Sequence, residues 1–134
     1  MSRFTLEVAT PERLLIREQV SEAQIPARAG EIGVRPEHAP LIAELGIGVL
    51  SYASAAGRKA LTVAGGMVEI LPDRVRVLAD AAEHADEIDL KRAQAALARA
   101  NDRLAGPQPG LDVARAINAM RRARARLKAT ASGG

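Results

Sequence analysis

The 134-residue chain has no cysteine and no tryptophan, and it carries a single phenylalanine and a single tyrosine. Without cysteine there is no disulfide framework, no thiolate zinc site and no cysteine nucleophile. Modules that stack nucleic-acid bases need more aromatic surface than two rings supply. Long apolar runs are missing as well: the longest stretch without an acidic or basic residue, positions 45–57, is 13 residues, whereas a bilayer-spanning helix needs roughly 20. Arg3 and Glu7 interrupt the start before an apolar segment of signal-peptide length can form. His38 and His84 are far apart in sequence, with no partner at metal-ligand spacing. No G-x-x-x-x-G-K-[ST] run is present, so the glycines are turn formers rather than a phosphate loop. An independent enzyme is disfavoured for want of a nucleophile, an acid/base pair or a metal cluster.

What is present is unevenly distributed. Net charge is +3 overall, but residues 1–85 hold 9 Lys/Arg against 11 Asp/Glu and residues 86–134 hold 10 against 5. The first part is therefore slightly acidic and the second clearly basic. At 14.1 kDa there is room for one compact domain and a small appendage.

The first part reads as β-structure, with short alternating apolar runs cut by Gly and Pro. Phe4, Leu6 and Val8 alternate with Thr5 and Glu7, and Thr10-Pro11-Glu12 stops that strand. Leu14 and Ile16 begin a second strand, and a third runs from Val20 toward Ile25. Positions 47–54 and 59–64 flank a hairpin turn at Ala55-Ala56-Gly57-Arg58, Gly65-Gly66 permits a bulge or bend, and Leu71-Pro72-Asp73 is another turn before Arg74-Val75-Arg76-Val77 closes the series. Seven or more short strands without an intervening helix predict an antiparallel sandwich or barrel over residues 1–85. Between them Gly30-Glu31-Ile32-Gly33-Val34-Arg35-Pro36-Glu37-His38-Ala39-Pro40-Leu41-Ile42-Ala43 reads as a stiff, shaped loop.

From Asp86 onward Ala, Arg, Leu and Gln replace β-branched residues, which is helix composition. Asp86, Glu87 and Asp89 suit a first helical turn. Ala105-Gly106-Pro107 ends the first helix, and Asp112 is an N-cap for a second that runs to about Lys128, with residues 130–134 frayed. The expected seams are thin: Leu97, Ala100 and Leu104 against Val113, Ile117, Met120 and Leu127. Each buried leucine contributes roughly 1.5–3 kcal/mol, so residues 86–134 should form a helical hairpin that needs a partner surface.

Several segments, in order, resemble the epsilon subunit of bacterial and chloroplast F-type ATP synthases. They are Leu6-Glu7-Val8-Ala9-Thr10-Pro11-Glu12, the Gly30 to Leu41 run with its G-E-x-G-x-x-P-x-H-A-P-L pattern, Val63-Ala64-Gly65-Gly66-Met67-Val68-Glu69-Ile70, Val75-Arg76-Val77-Leu78-Ala79-Asp80 and Ala85-Asp86-Glu87-Ile88-Asp89. Arg35 and Glu37 depart from the pattern, where the family more often has an aliphatic and a glycine, and Met67 replaces a common Phe. The resemblance implies a ten-stranded sandwich, a hairpin behind it, and no chemistry done by the subunit itself. It also implies a place in the central stalk, bound to the gamma subunit and the c-subunit ring, with the hairpin restraining ATP hydrolysis by extending toward the alpha and beta catalytic subunits. The location implied is peripheral, on the cytoplasmic side of a bacterial inner membrane, without insertion into it.

Two candidate sites follow from the resemblance. Glu31, Arg35, Glu37 and His38 would face the polar loops of the c ring. Ile88-Asp89-Leu90-Lys91-Arg92-Ala93 matches the [IL]-D-x-x-R-A pattern by which some epsilon subunits bind a regulatory ATP, with its magnesium. In that reading Asp89 accepts a hydrogen bond from the adenine or its surroundings, Arg92 and Arg99 lie near the nucleotide, and Arg115, Arg122 and Arg126 supply charge to the phosphates. The plainer reading of the first helix is a solvated stripe of Asp89, Arg92, Arg99 and Arg103, with Asp89 and Arg92 paired at i, i+3. The alternative from a different class is a small basic nucleic-acid-binding module built on Arg121-Arg122-Ala123-Arg124-Ala125-Arg126. No recognised binding fold supports it, so nucleic acid is not expected as a partner.

Overall fold

The computed structural model describes residues 2–106 and 109–132. Seven strands come first: β1 (Phe4–Ala9), β2 (Leu14–Ala27), β3 (Gly30–Val34), β4 (Leu41–Glu44), β5 (Ile47–Ser54), β6 (Gly57–Leu71) and β7 (Arg74–His84). A single 3-10 turn, Ala85–Glu87, leads to helices α1 (Leu90–Leu104) and α2 (Val113–Ser132). The expected sandwich followed by a helical hairpin is what the chain forms.

Three strands are long enough to serve both layers. Residues 14–20 of β2 pair with β1, whereas its second half pairs with β3 and β5. Likewise β6 pairs with β5 at its start and with β4 at its end, and β7 pairs with β6 along its length and with β1 over residues 74–78 only. Counting each long strand once per layer gives the ten strands implied by the resemblance from seven segments. The second and third expected strands are thus one strand, whose register shifts between Val20 and Glu22, leaving Ser21 as the extra residue of a bulge. Pairing of β1 with β2 closes the strand order on itself, and β1 alongside β7 is the parallel pair.

At the bend in β6, Gly65 and Gly66 hold φ of 71° and 119°, and a Cβ on Gly66 would collide with the Leu78 carbonyl oxygen. The register with β7 continues unchanged across Gly65, so the glycines make a bend rather than a bulge. β7 also continues seven residues beyond Val77, to His84, because 81–84 complete the ladder with 61–64. Composition alone hides this, since Ala81 and Ala82 have little β preference but small side chains beneath α2.

The stretch from Gly30 to Ala43 is mostly strand. Only residues 35–40 are loop, between β3 and β4. Within it Glu37 has φ 63° while its N–H donates to the Pro72 carbonyl at 3.0 Å, which ties the loop to the β6–β7 turn. A left-handed non-glycine residue costs about 1–2 kcal/mol, part of which glycine would return as unfolded-chain entropy. Glu37→Gly should therefore stabilise the sandwich by about 0.5–1 kcal/mol, read as a raised urea midpoint. No change, or a loss, would show that the loop does not store this strain.

The core is filled by inward residues of both layers, including Phe4, Leu6, Val8, Val20, Ile25, Leu50, Leu61, Val68, Ile70, Val75 and Val77. Of the expected hairpin seam only Ala100 is fully buried. The hairpin's deepest residues are alanines: Ala93 and Ala100 on α1, and Ala116, Ala123, Ala125 and Ala129 on α2. Leu97, Leu104, Ile117, Met120 and Leu127 are only half-buried and Val113 is 53% exposed. Small side chains let the helices approach each other and the sheet closely, and α2 lies between α1 and strands β5 and β6. Helix α2 also continues to Ser132, with Ala129 buried, so the expected fraying does not begin at Thr130. Asp112 caps α2 as predicted, accepting from the Arg115 N–H at 3.1 Å. Pro107 and residues 133–134 lie outside the described residues. Among the described residues no helix is long and apolar enough to cross a membrane.

Candidate functional site

Where the hairpin leaves the sandwich, Glu83, Glu87, Asp89, Arg92, Ala93, Ala96, Arg99 and Arg126 line a cleft of about 260 Å³. Helical periodicity puts Arg92, Ala96 and Arg99 on the wall formed by α1, and the packing of α2 brings Arg126 to the opposite side. Four of the six residues expected at the nucleotide site therefore meet: Asp89, Arg92, Arg99 and Arg126. Arg122 is half-buried in the adjoining groove over Thr62, Ala64, Ala81 and Ala82. Arg103 and Arg115 are exposed and line neither.

The alanines at 93 and 96 leave the floor open, while the charges determine what can enter. Asp89 is the N-cap of α1; its Oδ1 accepts from the Arg92 N–H at 3.1 Å. It is a backbone cap rather than the ion-pair partner of the Arg92 side chain. Arg126 Nε donates to Glu83 Oε1 at 2.7 Å, joining α2 to β7. Arg13 donates twice to Glu87, at 2.8 and 2.7 Å, a fork-to-fork pair that fixes geometry as well as charge. Arg92 and Arg99 make no ion pair among the described residues. Two uncommitted guanidinium groups and a third held by one carboxylate suit a polyphosphate.

Glu83, Glu87 and Arg13 were not read from the sequence as site residues. Arg13 and Glu87 are 74 positions apart, and no local pattern pairs them. The acidic start of residues 86–89 was the one available signal.

Arg13, followed by the His84 backbone N–H, holds the Glu87 carboxyl down at about 2 instead of 4.5. A depressed carboxyl stabilises the fold above its unfolded pKa, and that contribution disappears as pH falls through the folded value. The stability difference between the natural chain and Glu87→Gln should be full above pH 4.5 and vanish toward pH 2, as measured by urea unfolding. A difference independent of pH would mean that the ion pair contributes nothing.

The second candidate site is split by the fold. Glu31, Arg35 and Glu37 are exposed along β3 and the following loop. The His38 ring turns inward, edge-on to Phe4 with centroids 5.6 Å apart, and both its nitrogens are covered. His38 therefore shapes the loop from within.

A further surface was not anticipated. The register aligns Met67 of β6, Leu78 of β7, Ala9 of β1 and Leu14 of β2 in one row. Met67, Leu78 and Leu14 are 46%, 54% and 55% exposed, and Ile42 on the edge strand β4 is 67% exposed. The adjacent row, Glu69, Arg76, Glu7 and Arg17, alternates in charge. An apolar stripe bordered by charges that balance one another is the character of a protein-binding face.

Residues 3–85 match the family model described as the ATP synthase delta/epsilon chain beta-sandwich domain, and residues 86–131 match that family's long alpha-helix domain. The chain belongs to the ATP synthase delta/epsilon chain family. Among epsilon chains, that of Solibacter usitatus is 55% identical over 122 residues, 91% of each chain. The epsilon chain of Syntrophomonas wolfei is 45% identical over 130 residues, 96% of this chain and 95% of that one. Two solved structures share the fold. A chain of the Euglena gracilis mitochondrial ATP synthase (OSCP/F1/c-ring) superposes with TM-score 0.82 at 20% identity, covering 98% of this chain and 82% of that chain. A chain of the Tetrahymena thermophila mitochondrial ATP synthase central stalk and c ring gives 0.62 at 14% identity, with 96% and 97% covered. Epsilon chains are non-catalytic subunits of the ATP synthase.

Proposed function

We propose that this epsilon chain is a rotor subunit of the central stalk, coupling the gamma subunit to the c ring and restraining ATP hydrolysis through its hairpin. The observation that carries the regulatory part is the cleft, which exists only while the hairpin lies on the sandwich. In that position Asp89, Arg92 and Arg99 of one helix end and face Arg126 of the other. ATP bound there, with its magnesium, would bridge α1 and α2 and hold the hairpin down. Binding free energy then becomes free energy of the docked state.

The sandwich supplies the two other contacts. The apolar stripe through Met67, Leu78 and Leu14 is the face for gamma, and the exposed Glu31, Arg35 and Glu37 meet the polar loops of the c ring. In support, the named relatives are ATP synthase epsilon chains, and the two fold-sharing structures come from assemblies that include a c ring. The basic hairpin, once extended, would reach acidic surfaces of the alpha and beta subunits.

Deleting residues from Asp86 onward in the assembled ATP synthase should raise ATP hydrolysis several-fold while proton or sodium pumping stays coupled. Unchanged hydrolysis would remove the inhibitory role. Calorimetry of the full chain with MgATP tests the nucleotide separately: binding heat that is lost in Arg92→Ala and Arg99→Ala is expected, and no heat at millimolar nucleotide would end that part of the proposal.

A further inference from the structure

The two ion pairs at the base of the hairpin are unequal, and they stand on opposite sides of a two-residue extended segment. On the sandwich side, Glu87 takes both Arg13 donors and also accepts from the His84 N–H at 2.8 Å. The turn Ala85–Glu87 is thereby tied to the β1–β2 connection and to the end of β7 at once. On the hairpin side there is one Arg126–Glu83 contact, with the two side chains 37% and 35% exposed. Between them Ile88 and Asp89 are extended, with ψ of 126° and 106°, and α1 starts only at Leu90. The Asp89 N–H makes no backbone hydrogen bond outside regular elements among the described residues. α1 packs on α2 and on no strand to a comparable degree, so its position over the sandwich is inherited from α2. What holds α2 is alanine, and an alanine buries only one methyl group.

We infer that the hairpin turns about Ile88 and Asp89: the 3-10 turn stays clamped to the sandwich by Arg13 and Glu87, while Arg126 on Glu83 is the latch that releases. This rests on the reading that the hairpin leaves the sandwich. The clamp is the more exposed of the two pairs, at 45% and 38%, but it is bidentate and resists separation because both bonds must break together, whereas the latch is one bond that breaks alone. The latch also occupies the guanidinium that a bound phosphate would use, so Glu83 and the nucleotide compete for Arg126 in the docked state, and nucleotide that takes Arg126 must replace the latch as the tie between hairpin and sandwich.

The absence of cysteine makes a clean test of the full chain. Ala125→Cys places a thiol beneath α2, where labelling requires undocking. Hydrogen exchange at the His84 and Ile88 amides reports the turn. Adding Glu83→Gln should speed labelling about two- to fivefold and leave both amides unchanged. Adding Glu87→Gln, or Arg13→Gln as its reciprocal, should open those amides. The hinge is overturned if Glu83→Gln opens the His84 and Ile88 amides together with the thiol, because the pivot then precedes the turn. It is equally overturned if Glu83→Gln leaves labelling unchanged and Glu87→Gln alone accelerates it. A thiol that never reacts in any of these backgrounds shows a hairpin that stays docked, and the mobile-hairpin reading fails with it.

Discussion

Gly66→Val should lower the stability of the sandwich by about 3–5 kcal/mol, the range reserved for a backbone collision combined with strain. The φ of 119° disfavours any L side chain, and the new Cβ would meet the Leu78 carbonyl oxygen of the neighbouring strand. Both strands must shift, at the place where β6 passes from one layer to the other. For a chain of this size the melting temperature should fall on the order of 10–15 °C. Gly57→Ala is the control: its φ of 111° is also positive, yet nothing lies within 4 Å of an added Cβ. It should cost only about 1–2 kcal/mol. Equal losses in the two variants would show that backbone strain, and not the collision, dominates at Gly66.

Leu78→Glu combined with Met67→Glu should leave the isolated chain folded and abolish its association with the gamma subunit. Both positions are about half exposed, so the free chain can hydrate the new carboxylates. In a closed interface they would be buried without partners, at a cost of roughly 3 kcal/mol or more, which is over a hundredfold in Kd. Their cross-strand adjacency concentrates the effect, since Met67 pairs with Leu78 directly. Co-purification of gamma with the doubly substituted chain at natural yield would place the gamma contact on another face.

The sequence made the order of elements legible wherever a local rule applied. Alternation marked Phe4, Leu6 and Val8; the Pro72-Asp73 turn, the Asp112 cap and the Gly65-Gly66 bend are each set by residues a few positions apart. It misjudged lengths where a strand survives a change of partner. Nothing local distinguishes two short strands from one bulged at Ser21, and Ala81 and Ala82 carry no strand signal until their pairing with β6 is known. It also placed the hairpin seam mainly on large apolar residues, because periodicity ranks residues by size, whereas the packed helices bring alanines closest, of which Ala100 alone was in the expected seam.

The candidate cleft divides in the same way. Asp89, Arg92 and Arg99 lie on one stretch of helix, so spacing alone puts them together. Arg126 joins them only because α2 docks on the sheet, and Glu83 and Arg13 belong to strands and turns distant in sequence. The Gly30 to Ala43 run shows both halves at once. Its composition marked a stiff and distinctive segment, and Glu37 stood out where a glycine is more common; only the fold showed that Glu37 is left-handed, that His38 faces Phe4, and that most of the run is strand. Local chemistry determined which segments are strand, turn or helix and where charge accumulates, because those depend on neighbours along the chain. Which charges meet, which glycines are obligatory and which apolar residues stay outside were decided by strand register and by helix docking, because those bring together residues that the sequence keeps far apart.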